Sequence, residues 1–428
     1  MQENEQKKYQ FIKEKRKEVP INKKKLLLHT GYILVMALLF GVVASVVIAF
    51  LRPRIEETIY PKQDEFVSIP TDETETRDTE VSTSTEMEET DSKVDEPVDI
   101  VYWQPTLEDY QALQNQLYVI GREANRFVVT VTGVQSNTDW FNNPYENRDE
   151  ASGIIIANNS QELLILTEKK VIASAQEIFV TFIDDVTVKA SMKQYDGNTG
   201  IAILSVALSE INKETMEAIT IAKLGNSLYI PEGMLAIAVG SPMGMNFSIL
   251  TGNVTSTTNT ISTIDANYSV FTTDIVASES GSGALINVKG EVIGIVMQDY
   301  SRQGDVNTLT AVSISDLKAL IEKLSNDKEV AYLGLGISSV TPEIEKAYDI
   351  PKGVYIKEVK MNSPAMDAGL QSGDVITEMD GVAILDEASY ERRMLQVKPG
   401  DKVRVIIKRQ SAEGYVAIRC DVEASKLQ

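Results

Sequence analysis

From Arg126 onward, the sequence consists of short apolar and β-branched runs separated by Gly, Asn and Asp. Runs of this length, without helical repeats between them, predict antiparallel strands and argue against β-α-β units. This part of the chain is therefore expected to fold as an antiparallel β-barrel or sandwich. The predicted strands are 127–131, 153–157, 163–167, 178–183, 200–206, 234–239, 251–255, 269–273 and 292–297.

Two helical patterns flank this β-rich part. Residues 106–126 begin with Thr106-Leu107-Glu108-Asp109, an arrangement that predicts a capped helix. Residues 313–324 carry apolar side chains at a helical period behind Ser313. This pattern predicts a second helix with a serine N-cap.

The N-terminal region has a different composition. Residues 1–25 are basic, and residues 26–51 contain no charged side chain unless His29 is protonated. Such a run crosses a bilayer core of ~30 Å as a helix. No small-residue cleavage site precedes Arg52, which argues against a cleaved signal peptide. We therefore predict a cytoplasmic tail over 1–25 and a transmembrane helix over 26–51, with the later residues extracytoplasmic, because lysines precede the span.

Residues 52–105 are rich in Glu, Asp, Thr and Ser, which predicts a disordered acidic stalk. The formal net charge of −21 argues against a nucleic acid partner. Cys420 is the single cysteine and lies in an alternating run, so we expect a small buried strand residue. With one cysteine and one histidine far apart, the sequence predicts neither a metal site nor a cofactor.

A loop of small residues separates two predicted strands and reads Ser278-Glu279-Ser280-Gly281-Ser282-Gly283. A serine among glycines at such a turn presents its hydroxyl beside free backbone N–H groups. Taken alone, the loop is also typical of a flexible Ser/Gly turn. Its place among the neighbouring motifs favours the functional interpretation.

The ordered motifs of residues 120–425 resemble the HtrA/DegP family of trypsin-like serine proteases with a C-terminal PDZ domain. The matching segments of the protease part are 152–156, 165–171, 200–204, 238–244, 251–256 and 273–295. The resemblance implies a mainly β fold, with a chymotrypsin/trypsin-like double β-barrel over 106–328. An α+β PDZ domain is expected over 329–428, and the transmembrane helix precedes both. Family members often form trimers, so the resemblance also allows for a homotrimer.

The resemblance assigns the catalytic histidine to the position of Lys170 and the catalytic aspartate to that of Gly200. A serine triad requires an imidazole to accept the proton of the serine and a carboxylate to orient that imidazole. His29, the one histidine of the chain, lies in the predicted membrane segment. We therefore expect a pseudoprotease, a protease fold without its protease chemistry.

The nucleophile position is Ser282 when counted from Asp274, whereas the Ser-Gly-Ser spelling favours Ser280. The loop is shortened or rearranged relative to the family, which leaves both assignments open. An alternative to the pseudoprotease is an active serine endopeptidase in which Lys170 replaces the histidine as base. That arrangement requires burial to lower the lysine pKa to about 7–8.

The C-terminal region contains the segment Tyr332-Leu333-Gly334-Leu335-Gly336-Ile337, which we call the carboxylate loop. It resembles the peptide-binding loop of PDZ domains, and residues 353–356, 363–370 and 372–376 resemble the body of HtrA-type PDZ domains. Gly334 is expected to turn backbone N–H groups onto a terminal carboxylate, while the following strand offers its edge to a peptide. The resemblance implies that C-termini or unfolded proteins are the partners, in envelope protein quality control.

Overall fold

The computed structural model describes residues 32, 36, 66–72, 105–138, 144–301 and 307–426. The chain divides into two compact units, 1–63 and 64–428. In the first unit only Tyr32 and Met36 are described, and both are helical and exposed. The predicted cytoplasmic tail and the rest of the predicted span over 26–51 lie outside the described residues. Within the part that is described, no helix combines the length and apolar character needed to cross a bilayer.

The β-rich part forms two closed barrels of six antiparallel strands each. In the first barrel the strand order is β1-β2-β3-β6-β5-β4, and in the second it is β10-β11-β12-β9-β8-β7. The first barrel contains β1 Val128–Thr138, β2 Pro144–Asn158, β3 Glu162–Glu168, β4 Glu177–Thr181, β5 Thr187–Tyr195 and β6 Ile201–Ala207. The second contains β7 Leu235–Ser241, β8 Ser248–Ser262, β9 Asn267–Val276, β10 Ser282–Ile286, β11 Val292–Met297 and β12 Thr308–Ser313. The prediction of an antiparallel double barrel is confirmed.

The C-terminal domain is built on a mixed set of short and long strands with its own apolar core. Its main sheet has the order β14-β15-β16-β18-β19, with β17 paired to β16, and β13 pairs with β20. The strands are β13 Ala331–Tyr332, β14 Leu335–Ser339, β15 Val354–Val359, β16 Val375–Met379, β17 Val382–Ala383, β18 Lys402–Ser411, β19 Gly414–Glu423 and β20 Ser425–Lys426. Strand β14 is therefore an edge strand, as peptide addition requires.

Helices lie at the ends of the barrels and on the C-terminal sheet. They are α1 Leu107–Ala124, α2 Lys169–Ile172, α3 Lys213–Ala218, α4 Ile314–Ser325, α5 Pro342–Tyr348, α6 Pro364–Asp367 and α7 Glu387–Met394. Short 3₁₀ turns span Asn125–Phe127, Leu208–Glu210 and Gln298–Tyr300.

Both helices predicted beside the barrels are confirmed, but only one is capped as expected. Thr106 and Asp109 form a reciprocal capping box at the start of α1. Ser313 occupies the N-cap position of α4, yet its hydroxyl makes no capping bond. It lies instead 2.9 Å from the Ser227 hydroxyl, so a tertiary contact replaces the local one. Cys420 is free and buried, as predicted.

Part of the predicted stalk packs on the protease-like domain. The Val67 N–H donates to Asn326 Oδ1 at 2.9 Å, and the Ile69 N–H donates to a carboxylate oxygen of α4. Asp72 forms an ion pair of 2.8 Å with Lys318, whose side chain is 5% exposed. Residues 66–72 therefore differ from the disordered stalk that composition predicts. Val67 and Ile69 supply apolar contacts, and their backbone N–H groups donate to Asn326 and to α4.

Candidate functional site

The fold brings the assigned histidine and aspartate positions together. Strand β3 ends where α2 begins, which places Lys170 in the first turn of that helix. Strand β3 pairs with β6, whose first residue directly follows Gly200. The Lys169 N–H consequently donates to the Gly200 carbonyl at 2.7 Å. Ser282 begins β10 and pairs with Met297 of β11, which lies next to the same region.

Lys170 is held by two carboxylates. Its Nζ lies 2.7 Å from Glu168 Oε2 and 3.1 Å from Asp299 Oδ1. Partial burial works to lower the pKa of Lys170, but the hydrogen bonds and negative charges of Glu168 and Asp299 outweigh it, and the pKa is raised. A lysine with a raised pKa stays protonated at neutral pH and cannot accept a proton. Among the described residues, no hydrogen bond joins Lys170 to Ser280 or Ser282.

Glu168 is the buried member of this cluster. Its side chain is 6% exposed, and burial raises its carboxyl pKa against the opposing effect of Lys170. Its Oε1 has no hydrogen-bond partner among the groups that the structure describes. Losing Lys170 would leave this buried carboxylate without its counter-charge, so the lysine has a structural role here.

Ser282 is buried where β10 of the second barrel contacts β2 of the first. The residue is 1% exposed, and its Oγ accepts a hydrogen bond of 2.9 Å from the Ser152 N–H. This amide donor occupies one lone pair of the hydroxyl and lowers its nucleophilic character. A buried hydroxyl without a neighbouring base remains protonated and weakly nucleophilic.

Ser280 lies on the exposed side of the same loop. Among the described residues, its hydroxyl forms one hydrogen bond, with the Ser278 hydroxyl at 3.4 Å. The loop is closed on itself, because the Gly281 N–H donates to the Ser278 carbonyl at 2.8 Å. The Ser278 N–H donates to the Pro242 carbonyl at 2.9 Å. The Ser278 amide, which would be a candidate for the oxyanion hole if Ser280 were the nucleophile, therefore has an internal partner.

Gly200 closes a buried turn in which Asp196 is the organising side chain. Asp196 is 3% exposed and accepts hydrogen bonds from the N–H and hydroxyl of Thr199. The Tyr300 hydroxyl lies 3.0 Å from the Thr199 carbonyl. On the other side, the Asn198 amide donates to the Ile264 carbonyl at 2.7 Å. The turn that the resemblance assigns to the aspartate is thus bonded to the β8–β9 hairpin.

The carboxylate loop has the form that the sequence predicts. Tyr332 lies in β13, Leu335, Gly336 and Ile337 lie in β14, and the two remaining residues connect these strands. Leu333, Leu335 and Ile337 are fully buried in the domain core. Gly334 has φ of 95°, so the backbone around it reverses and the N–H groups of residues 333–335 point to one place.

A side chain from the second barrel occupies that place. The tip of the β8–β9 hairpin, residues 263–266, carries Asp265, which is 6% exposed. Asp265 Oδ2 accepts hydrogen bonds from the N–H groups of Leu333 at 2.8 Å and Gly334 at 2.9 Å. Asp265 Oδ1 accepts from the Leu335 N–H at 3.0 Å and the Tyr390 hydroxyl at 2.9 Å. Burial raises the pKa of the Asp265 carboxyl against the opposing effect of these donors.

The hairpin tip also uses the edge of β14 and the facing helix. The Asp265 N–H donates to the Leu335 carbonyl at 2.7 Å, as a paired strand residue would. The Asn267 N–H donates to Glu391 of α7 at 2.7 Å. At the far end, the Ser339 N–H donates to Glu387 Oε1 at 2.6 Å. The groove between β14 and α7 is therefore lined as a peptide site and already contains a protein segment.

Sequence reasoning identified the loop but missed Asp265, Tyr390 and Glu391. Asp265 lies in a polar hairpin turn with φ of 60°, and aspartate is common at such turns without any further role. Only the tertiary arrangement brings it to the carboxylate loop. Tyr390 is fully buried on α7, and nothing in the local sequence indicates the partner of its hydroxyl.

We expect the stability of this domain contact to fall as pH rises from 4.5 to about 7. Burial raises the pKa of Glu391 to about 7, the Asn267 amide lowers it, and the charges of Glu387, Asp316 and Asp386 raise it further. Between its ordinary value of 4.5 and about 7, the folded state retains a proton that the unfolded state has released. The free energy of unfolding therefore decreases over this range, by about 3 kcal/mol at most for this group.

Glu391→Gln tests this expectation, because glutamine resembles the protonated acid. The difference in unfolding free energy between the variant and the wild-type chain, measured by urea unfolding from pH 4 to pH 8, should grow in favour of the variant as pH rises. Exposed Glu413 provides a matched Glu→Gln control. A constant difference for Glu391→Gln would contradict the assignment.

Both domains match known protein families. Residues 151–295 match the family described as "Trypsin-like peptidase domain", and residues 331–419 match "PDZ domain". A "Probable periplasmic serine endoprotease DegP-like" of Halomonas elongata is 30% identical over 279 residues, covering 64% of this chain and 56% of the relative. A "Serine protease Do-like HtrA" of Lactobacillus helveticus is 28% identical over 297 residues, covering 65% and 70%. The chain thus spans little more than half of the Halomonas relative.

Among solved structures, "HtrA-type protease AlgW with decapeptide" superposes with a TM-score of 0.53. The identity is 20%, and the match covers 73% of this chain and 99% of the other. At this level of identity the likeness shows a shared fold.

Proposed function

We propose that this chain, which is similar to HtrA/DegP-like proteins and joins a trypsin-like peptidase domain to a PDZ domain, is a peptide-binding pseudoprotease. In this proposal the PDZ domain binds polypeptide C-termini or unfolded proteins. The protease-like domain has lost peptide hydrolysis and serves as a structural partner of the PDZ domain. The protein then acts as an adaptor or sensor in envelope protein quality control.

The observation that carries the proposal is the environment of Lys170. A serine hydrolase needs a neutral base next to its nucleophile. Lys170 is instead paired with Glu168 and Asp299, with its pKa raised. Ser282 is enclosed and accepts a hydrogen bond from the Ser152 amide. Loss of the base alone reduces triad catalysis by about 10⁴–10⁶-fold.

Peptide binding is supported by the intact geometry of the PDZ groove. The three N–H groups of residues 333–335 already hold a carboxylate. Strand β14 is the terminal strand of its sheet, and its outer edge offers backbone groups for an added strand. These two features supply the affinity and the recognition of a chain end that peptide capture requires.

The proposed arrangement in the cell follows the composition of the chain. It comprises a cytoplasmic tail over 1–25, a membrane helix over 26–51, a stalk over 52–105, a protease-like domain over 106–328 and a PDZ domain over 329–428. The name of the Halomonas relative includes "periplasmic", which supports an extracytoplasmic position of the folded domains. A homotrimer remains a prediction from the family resemblance.

The second candidate is an active serine endopeptidase, favoured by the names of the relatives, which are endoproteases. It requires Lys170 to lose its proton and to approach Ser280 or Ser282. The two carboxylates around Lys170 oppose the loss of its proton. Both ion pairs would have to break before Lys170 could approach either serine.

We expect the full chain to be unreactive towards a fluorophosphonate probe and to leave casein uncleaved. Its background rate should equal that of the Ser280→Ala/Ser282→Ala variant, which removes both nucleophile candidates and whose folding is checked by circular dichroism. Turnover that depends on these serines and disappears in Lys170→Ala would establish the second candidate. A relative with an intact triad, assayed in parallel, confirms that the probe and substrate respond.

A further inference from the structure

Four hydrogen-bond donors surround one carboxylate at the carboxylate loop. Three belong to the loop and the fourth to α7, so all four belong to the PDZ domain. They are the N–H groups of Leu333, Gly334 and Leu335 and the hydroxyl of Tyr390. The carboxylate itself comes from Asp265 in the second barrel. A side-chain carboxylate and a chain-terminal carboxylate present the same two acceptor oxygens to such donors.

The backbone of the hairpin tip adds to this likeness. The Asp265 N–H donates to the Leu335 carbonyl at 2.7 Å, which is the bond that the last residue of an added strand would make. The Asn267 side-chain amide approaches the Ile337 carbonyl at 3.4 Å. The tip therefore occupies both parts of the groove, the carboxylate pocket and the first positions of the β14 edge.

We propose that Asp265 is an internal ligand of the PDZ carboxylate loop, and that a polypeptide C-terminus binds only after residues 263–266 leave the groove. This inference rests on the proposed peptide-binding function. Because the tip is tethered, its effective concentration at the loop is on the order of millimolar or more. An incoming C-terminus has to compete with that concentration, and its apparent affinity is reduced by the fraction of chains whose groove is closed.

The hairpin tip has a second anchorage that would change when it leaves. The Asn198 amide donates to the Ile264 carbonyl at 2.7 Å, and Asn198 lies in the turn that ends at Gly200. Displacement of the tip removes this bond from the protease-like domain. The N–H groups of residues 333–335 should then exchange with solvent faster unless a peptide protects them.

The test measures binding of a fluorescein-labelled decapeptide ending in Val-Val to the full chain. One form of the peptide has a free terminal carboxylate and the other a terminal amide. Asp265→Ala should bind the free-acid peptide at least ten-fold more tightly than the wild-type chain does. Asp265→Asn, which keeps the shape but replaces one acceptor oxygen by a donor, should show a smaller gain. In each variant the amide form, which lacks the terminal carboxylate, should bind more weakly than the free acid.

A matched control separates the internal ligand from a general effect on hairpins. Asp185 lies at an exposed turn of the first barrel with φ of 63°, and Asp185→Ala should leave peptide affinity unchanged. Circular dichroism and amide exchange of β18 report whether each variant is folded. If Asp265→Ala is unfolded, faster exchange of the Gly334 N–H in folded Asp265→Asn supports the proposal, and unchanged exchange overturns it.

The outcomes distinguish this inference from the function on which it rests. Equal affinities of wild type and Asp265→Ala for the free-acid peptide would overturn the internal ligand and leave peptide binding standing. Equal affinities of Asp265→Ala for the acid and amide forms would also overturn it, because the vacated donors would then not bind a carboxylate. Failure of every folded variant to bind the free acid would overturn both proposals.

Discussion

Gly334→Ala is expected to abolish recognition of a free carboxylate by the PDZ loop. Gly334 has φ of 95°, and a Cβ built there clashes with Ser363 Cβ and lies 2.7 Å from Ser363 Oγ. Ser363 cannot give way easily, because it is fully buried and its hydroxyl accepts the Met366 N–H at the start of α6. Backbone strain and overpacking together cost about 2–6 kcal/mol, enough to weaken carboxylate binding by about 30-fold or more.

Gly336→Ala is the matched control two residues further along the same loop. Its φ is not in the left-handed region, and the nearest atom to an added Cβ is Glu358 Cβ at 3.2 Å. A shift of a few tenths of an ångström in an exposed side chain accommodates it. Titration with the free-acid decapeptide should show near wild-type affinity for Gly336→Ala. Similar losses in both variants would mean that the conformation of Gly334 is not what orients the donors.

The candidate sites differ in how much of them could be predicted from sequence. The carboxylate loop is a contiguous segment, so its motif predicts the backbone reversal at Gly334 directly. The surroundings of Lys170 were not predictable to the same degree, because Asp299 lies 129 residues away from it in the chain. The sequence places Glu168 beside Lys170 and favours a solvated turn. The structure instead buries Glu168, since β3 continues into the barrel interior up to that residue.

Asp265 marks the limit of prediction from pattern. Its hairpin has the alternation and turn residues from which strands are predicted, and these features describe only local structure. The partners of Asp265 lie 68 to 125 residues later in the chain. A contact of this kind depends on how the second barrel packs against the PDZ domain, and no periodicity or turn rule encodes that packing. Ser313 shows the same effect on a smaller scale, because Ser227 takes the hydroxyl that the helix pattern assigns to a cap.

Gly283→Ala is expected to unfold or severely destabilise the second barrel. Gly283 has φ of 131° and pairs with Gly240 of β7. A Cβ at this position would clash with the Val239 carbonyl oxygen and lie 3.1 Å from the Gly240 Cα. Both atoms belong to the backbone of a buried strand pair, so relief requires separating β10 from β7. The expected loss in unfolding free energy is about 2–6 kcal/mol, measured by urea unfolding of the full chain.

Gly233→Ala is the control that shows backbone strain without a steric clash. Gly233 has φ of 82°, but no atom lies within 4 Å of an added Cβ. That variant should lose only about 1–2 kcal/mol. A large difference between the two variants would mean that strand packing alone requires the glycine after Ser282. Packing would then require the small residues of this loop even in a protein without catalysis, as the pseudoprotease proposal implies. If Gly283→Ala were no less stable than Gly233→Ala, packing would not explain the glycine, and the argument for an active serine at this turn would be strengthened.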